Sequence, residues 1–172
     1  MRAKTNVAAL IVATFIFGVS TTPCGATPAS NDACSLVTQD QVSADVGVSV
    51  GPGQHVMPTA VKTCTWTPTD TTKGVKYVTV SFWDPTGYDG GKRVAEQTAA
   101  QLKNDKDAAP MAYASASGIG DDAYYTTMGS GYSGLMVKKG NVALKIAIYG
   151  EMPMEKKKTA EKAIALQALS KL

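Results

Sequence analysis

The sequence predicts an α+β fold: a single domain with a mainly antiparallel β-sheet flanked by helices, after an N-terminal signal helix. Three observations lead there. The chain has 172 residues, a length suited to one domain. Hydrophobic side chains make up 44% of it and charged ones 18%, which suits a globular chain and excludes a disordered, collagen-like or coiled-coil one. The patterning runs helix, strands, helix, strands, helix with hairpin-length links, which favours antiparallel neighbours over a doubly wound parallel sheet. On this reading the helices cover one face of the sheet.

Residues 1–26 read as a secretory signal. Arg2 and Lys4 give a positive start, and Val7 to Val19 form an apolar run. The run is about 13 residues long, short of the ~20 that cross a bilayer as a helix. Small residues follow it. Cleavage after Ala26 and cleavage after Ser20 both fit, and lipidation at Cys24 is a third outcome, although Thr21-Thr22-Pro23 departs from a lipoprotein signal. The expected location is exported, periplasmic or extracellular, with membrane attachment only if Cys24 is lipidated. Losing Arg2 and Lys4 leaves 15 basic side chains against 14 acidic ones. That balance does not hold a phosphate backbone by bulk charge, so nucleic acid is excluded as a partner.

With Cys24 removed, Cys34 and Cys64 remain as a pair in an oxidising compartment, which favours a disulfide. Closing a loop of roughly 30 residues stabilises a fold by about 3–4 kcal/mol in the chain-entropy model. No C-x-x-C occurs, so the reading is a structural bridge rather than a redox site.

Each element follows from local chemistry. Residues 27–32 are small, polar and Pro-containing, a flexible leader to a domain over 33–172. Thr38 caps a short helix with Gln41 closing the capping box, and Gly47 ends it. Val42 and Val46 share one face. Val48 to Pro58 is a Gly/Pro loop. Val61 to Thr67 is a strand that turns Cys64 and Trp66 to one side. Asp70 to Gly74 links it to a strand over Val75 to Trp83, where Val78, Val80 and Phe82 oppose Tyr77, Thr79, Ser81 and Trp83. Asp84-Pro85-Thr86-Gly87 stops that strand as a turn.

A helix is predicted from Gly90 to Lys103 with Val94, Thr98 and Leu102 inward, ended by Asn104-Asp105 and by Pro110 beyond. Strands follow at Ala123 to Thr127, Gly134 to Lys138 and Asn141 to Tyr149. The last alternates Val142, Leu144, Ile146 and Ile148 with Ala143, Lys145, Ala147 and Tyr149, so one face is packed. Glu155 to Leu172 closes the chain as a helix with Ala160, Ile164, Ala165, Leu169 and Leu172 inward.

Two motifs carry a resemblance. Cys34-Ser-Leu-Val-Thr38 opening a short helix, then Cys64-Thr-Trp66 on a strand, resembles the start of a family of small exported bacterial proteins, many of them lipoproteins. Gly118-Ile-Gly-Asp-Asp-Ala-Tyr124 is similar to that family's later signature. The resemblance covers about residues 33–172. It implies a PsbP-like fold, an antiparallel sheet flanked by helices, in a domain of unknown function. It supplies no catalytic residues.

The residues offer little for catalysis. The one histidine, His55, stands in the Gly/Pro loop, which excludes sites built on several imidazoles. Gly131-Tyr132-Ser133-Gly134 fails as a nucleophile elbow because Leu135 stands where a second glycine belongs. Gly87 to Lys92 opens a helix after a strand without phosphate-loop spacing, and reads as a strand-to-helix turn. Adjacent Asp121 and Asp122 point to opposite sides of an extended chain, so with Gly118 and Gly120 they shape a turn. Lys156, Lys157, Lys158 and Lys162, partly neutralised by Glu151, Glu155 and Glu161, read as a solvated helix face.

Aromatic residues are the better lead. Trp83, Tyr88, Tyr124, Tyr125 and Tyr132 are a candidate binding surface, with Tyr149 in the same group, because Tyr and Trp suit interfaces. The functional expectation is an exported, non-enzymatic domain without a cofactor that binds a protein, an envelope component or a small ligand. The alternatives are a metal-dependent hydrolase using Asp84, Asp89, Asp121 and Asp122, and a passive structural envelope protein.

Overall fold

The computed structural model describes residues 31–103 and 111–172. The signal segment, Cys24 and nearly all of the leader lie outside the described residues, as do Asn104, Asp105 and Pro110. Seven strands form one antiparallel sheet: β1 Gln54–His55, β2 Thr63–Trp66, β3 Val75–Trp83, β4 Met111–Ala116, β5 Asp122–Met128, β6 Tyr132–Lys139 and β7 Val142–Gly150. Their order across the sheet is β1-β2-β3-β7-β6-β5-β4. Three α-helices complete the fold, α1 Gln39–Val46, α2 Pro85–Leu102 and α3 Met154–Leu169. This is the α+β architecture that the patterning predicts.

Strand β7 shows why the sheet has a dry side. Leu144, Ile146 and Ile148 point the same way and are fully buried. The register sets Val80 of β3 and Leu135 of β6 beside Ile146, and Cys64 and Trp66 of β2 continue the layer. Val42 and Val46 of α1, with Ala160, Ile164, Ala165 and Leu169 of α3, cover it. Burying a Leu- or Val-sized side chain stabilises by about 1.5–3 kcal/mol, so this layer is the main source of cohesion. Helix α1 starts and stops as its sequence dictates: Thr38 and Gln41 form the reciprocal capping box, and Gly47 takes a left-handed φ of 69° at the C-cap.

The helices do not share one face. The chain leaves central β3 and reaches the edge strand β4 through α2, which crosses on the opposite side to α1 and α3. There it buries a second, smaller cluster of Tyr88, Ala95, Tyr124, Met136 and Ala143. Helix α2 also begins earlier than the Gly90 start predicted. Asp84 accepts a hydrogen bond from the Gly87 N–H at 2.7 Å, and Pro85 occupies the first turn, where its missing N–H costs nothing. The supposed turn is therefore an N-cap. Its early start resets the phase: Val94 is 59% exposed, while Tyr88, Ala95 and half-buried Leu102 face the sheet.

Other boundaries shift for similar reasons. Short β1 lies inside the predicted Gly/Pro loop, and β4 (MAYASA) was not expected because Ala and Ser are weak strand formers. Leu172 lies beyond the end of α3 and is exposed. Lys157 breaks with the solvated-face reading. It is fully buried, and its ammonium donates to the carbonyls of Ser130 and Gly150. Glu161, one helical turn on, is also buried and accepts from the Ser133 hydroxyl at 2.8 Å. Burial pushes the Glu161 carboxyl up to about 8 and pulls the Lys157 ammonium down.

Cys34 and Cys64 form the disulfide, with Cα atoms 4.9 Å apart, tying the turn at Ala33–Ser35 to β2. The bridge points to a non-cytoplasmic location. Among the described residues no helix is long and apolar enough to cross a membrane.

Candidate functional site

Helix α2 covers only part of its side of the sheet. It packs over the β4–β5–β6 end and leaves the adjoining surface of β2, β3 and β7, with the near part of β6, uncovered. Alternation along β3 turns Tyr77, Thr79, Ser81 and Trp83 outward, and along β7 it does the same for Lys145 and Tyr149. The register then gathers side chains that lie far apart in sequence. Tyr77 is opposite Tyr149, and Tyr149 is opposite Tyr132, so three tyrosines form one row across β3, β7 and β6. The Tyr77 and Tyr149 rings stack at 4.2 Å between centroids, and Tyr149 meets Tyr132 at 5.0 Å.

Gly134 makes room for the phenol end of Tyr132. A Cβ at that position would collide with the Tyr132 ring, so the bare backbone accepts the ring resting across it. Lys145 joins the row to Trp83, its ammonium lying 5.7 Å from the Tyr132 centroid and 5.8 Å from that of Trp83. Trp83 is itself seated against α2. Gly87 and Gly91, one turn apart, face the benzo edge of the indole, and a Cβ added at either would stand at ordinary contact distance, 3.5 and 3.6 Å, from it. The other side of the ring is open: Trp83 is 38% exposed and Tyr77 37%.

The platform is nearly uncharged, and its rings are not coplanar: Tyr132 is tilted 54° from Tyr149. Thr63, Thr65, Thr79 and Ser81 add hydroxyls on its β2–β3 side, with Thr63 donating to Ser81 at 3.0 Å. Lys145 is the one ionic side chain on these outward rows of β2, β3 and β7. Burial raises the hydroxyl pKa of Tyr132 and of Tyr149, which keeps both phenols neutral across the physiological range.

Of the aromatic residues singled out in the sequence, Trp83, Tyr132 and Tyr149 belong to this platform. Tyr88 and Tyr124 do not: they are buried beneath α2 with centroids 5.3 Å apart, and burial pushes the Tyr124 hydroxyl up to about 12. Tyr125 faces the other side, donating from its hydroxyl to the Lys158 carbonyl at 3.2 Å. Tyr77 was missed as a recognition residue. Its parity with Trp83 on β3 was the available signal, but only the β3–β7 register shows that it joins Tyr149.

The four carboxylates of the hydrolase alternative are each engaged locally. Asp84 caps α2, Asp89 pairs with Lys138 at 3.0 Å, Asp122 pairs with Lys92 at 2.7 Å, and Asp121 accepts from the Gly140 N–H at 2.6 Å. Asp121 thereby closes the turn that Gly118 and Gly120 open with positive φ. A Cβ at Gly120 would meet the Lys138 carbonyl oxygen at 2.5 Å, so that glycine is needed for the chain to pass. Ser133 and Glu161 resemble a nucleophile and base in spacing, yet both are sealed in the core.

A cavity of about 550 Å³ lies elsewhere, between the end of α1 and the start of α3. Asp45, Lys73, Glu155 and Lys156 line it with mixed charge around Met152, without convergent polar groups. Comparison of the chain with protein-family models, curated proteins and solved structures returned no match.

Proposed function

We propose that this chain is an exported, non-catalytic binding domain that holds a saccharide component of the cell envelope on the uncovered side of its sheet. The observation that carries the reading is the Tyr77–Tyr149–Tyr132–Trp83 platform. Rigid aromatic faces pack against the C–H faces of pyranose rings, hydroxyls such as Thr79 and Ser81 exchange hydrogen bonds with sugar hydroxyls, and Lys145 suits an anionic substituent. An open surface accepts a chain of sugars rather than one engulfed small molecule. Export is supported by the Cys34–Cys64 bridge and by the charged, then apolar start of the chain. The motifs at 34–66 and 118–124 support membership of the exported bacterial family they resemble, with lipidation at Cys24 as the route to a membrane.

The test is titration of the disulfide-bonded domain with solubilised envelope polysaccharides, neutral and acidic, followed by tryptophan fluorescence. The two tryptophans make this readable: Trp83 is open while Trp66 is buried on the other side. Saturable change in wild type, lost by tenfold or more in affinity in Trp83→Ala and Tyr77→Ala, is expected. Absence of binding to every polysaccharide, with capture of a protein through the same residues, would move the assignment to a protein partner.

A further inference from the structure

A second constellation lies at the opposite edge of the sheet, around the disulfide. His55 on β1 is the register partner of Cys64 on β2, which brings its imidazole to the bridge. Nδ1 lies 3.6 Å from Cys34 Sγ, and Nε2 lies 3.3 Å from Asp32 Oδ1. Asp32 is fixed in turn, since Oδ1 also accepts from the Cys34 N–H at 2.8 Å. Asp32, Cys34 and His55 are only half-buried and bring their ligand atoms within 4.8 Å of one another.

From this arrangement we infer that reduction of the Cys34–Cys64 bridge creates a zinc-type metal site, with Cys34, Cys64 and His55 as protein ligands and Asp32 as the carboxylate that orients the imidazole. The spacing fits. A tetrahedral zinc ion with Zn–S of about 2.3 Å and Zn–N of about 2.0–2.1 Å sets sulfur and nitrogen about 3.6 Å apart. The Cys34–His55 edge already has that length. The second sulfur has to move only from bonding distance to about 3.8 Å from the first, the S···S edge of the same tetrahedron. In the oxidised structure Nδ1 lies 3.2 Å from the Thr63 carbonyl oxygen and Nε2 lies 3.3 Å from Asp32. Metal binding exchanges the Thr63 contact for the ion and places the ring proton on Nε2 toward Asp32, a carboxylate–histidine–zinc relay. Two thiolates and one imidazole favour zinc over calcium or magnesium, and the fourth position is open to water.

The steps balance. A small dithiol reduces the bridge, giving two cysteine thiols and its own cyclic disulfide. The metal ion then displaces two protons as both thiolates bind. A coordinative tie thereby replaces the covalent one between the Ala33–Ser35 turn and β2.

The test uses Co²⁺ as a spectroscopic stand-in for zinc on the full chain, oxidised and reduced, with circular dichroism run in parallel. The oxidised protein gives no thiolate-to-cobalt band, and the reduced protein gives that band with intense tetrahedral visible absorption at one ion per chain. His55→Ala keeps a sulfur band, shifts the visible bands and loses tenfold or more in affinity. Asp32→Asn leaves the band pattern unchanged while weakening binding about 10–100-fold. If reduction alone unfolds the chain, recovery of the native dichroism on adding metal supports the site. Equal affinity in His55→Ala, binding to an unfolded chain, or no binding after reduction overturns it.

Discussion

On β7, Leu144, Ile146 and Ile148 point to one side of the sheet, and Lys145, Ala147 and Tyr149 to the other. The first side is sealed along its length by α1 and α3 and is built from branched aliphatics that fill space. The second is sealed only where α2 crosses, and beyond that limit it carries aromatic rings and hydroxyls. Neighbouring residues on one strand therefore serve different ends. What separates them is the route of the connections: the short α1 and terminal α3 fall on one side, and the β3-to-β4 crossover falls on the other. Cohesion and recognition are divided by a single layer of backbone, so each can be perturbed with little effect on the other.

The sharpest way to break that division is Ile146→Ala. It leaves a cavity in the sealed layer and is expected to cost about 3–4 kcal/mol, read as a lower urea midpoint with unchanged slope. A loss under 1 kcal/mol would show that the sealed side is not where stability resides.

Next comes Glu161, whose folded pKa of about 8 lies above its unfolded value near 4.5. The native state thus holds the proton more tightly, and stability is present in full below pH ~4.5 and falls as pH rises toward ~8. Glu161→Gln removes that slope and gains on the order of 2 kcal/mol at pH 7, measured by denaturation at pH 5 and pH 8. An unaltered difference between the two pH values in the variant rejects the buried acid as its source.

On the open side, Tyr77→Ala removes one stacked pair and is expected to cost about 1 kcal/mol in stability while abolishing most saccharide affinity. The converse result, large destabilisation with binding intact, would make the platform a structural feature. Smallest of all is Tyr88→Phe. The Tyr88 hydroxyl is buried beside the Asp122 carboxylate in poor hydrogen-bond geometry, so its removal is expected to lower stability by no more than ~0.5 kcal/mol. A thermal shift of several degrees downward would show that the hydroxyl has a role beneath α2.

Much of the sealed side was legible in the sequence because its chemistry is periodic. The capping box of α1, the alternation of β3 and β7, and the pairing of Cys34 with Cys64 each follow from local residue types. The open side was harder to read. Tyr124 and Tyr125 are adjacent and chemically identical, yet one lies beneath α2 and the other beneath α3, and no local pattern says which helix crosses where. Asp84-Pro85 illustrates the same limit: a residue pair that ends a strand also starts a helix, and the difference of a few residues moved Val94 outward and Tyr88 inward. Lys157 and Glu161 read in the sequence as part of a solvated face because charged residues at helical spacing usually face water.

The position of Trp83 against α2 has a consequence for how the platform meets its ligand. The Trp83 indole stands at the end of a central strand with its benzo edge against α2, so a strand and a helix hold it rather than a loop. Such a preset ring lowers the ordering cost of association, so capture should proceed in one step at the rate of encounter. Selectivity then rests on how quickly a poorly matched sugar chain departs.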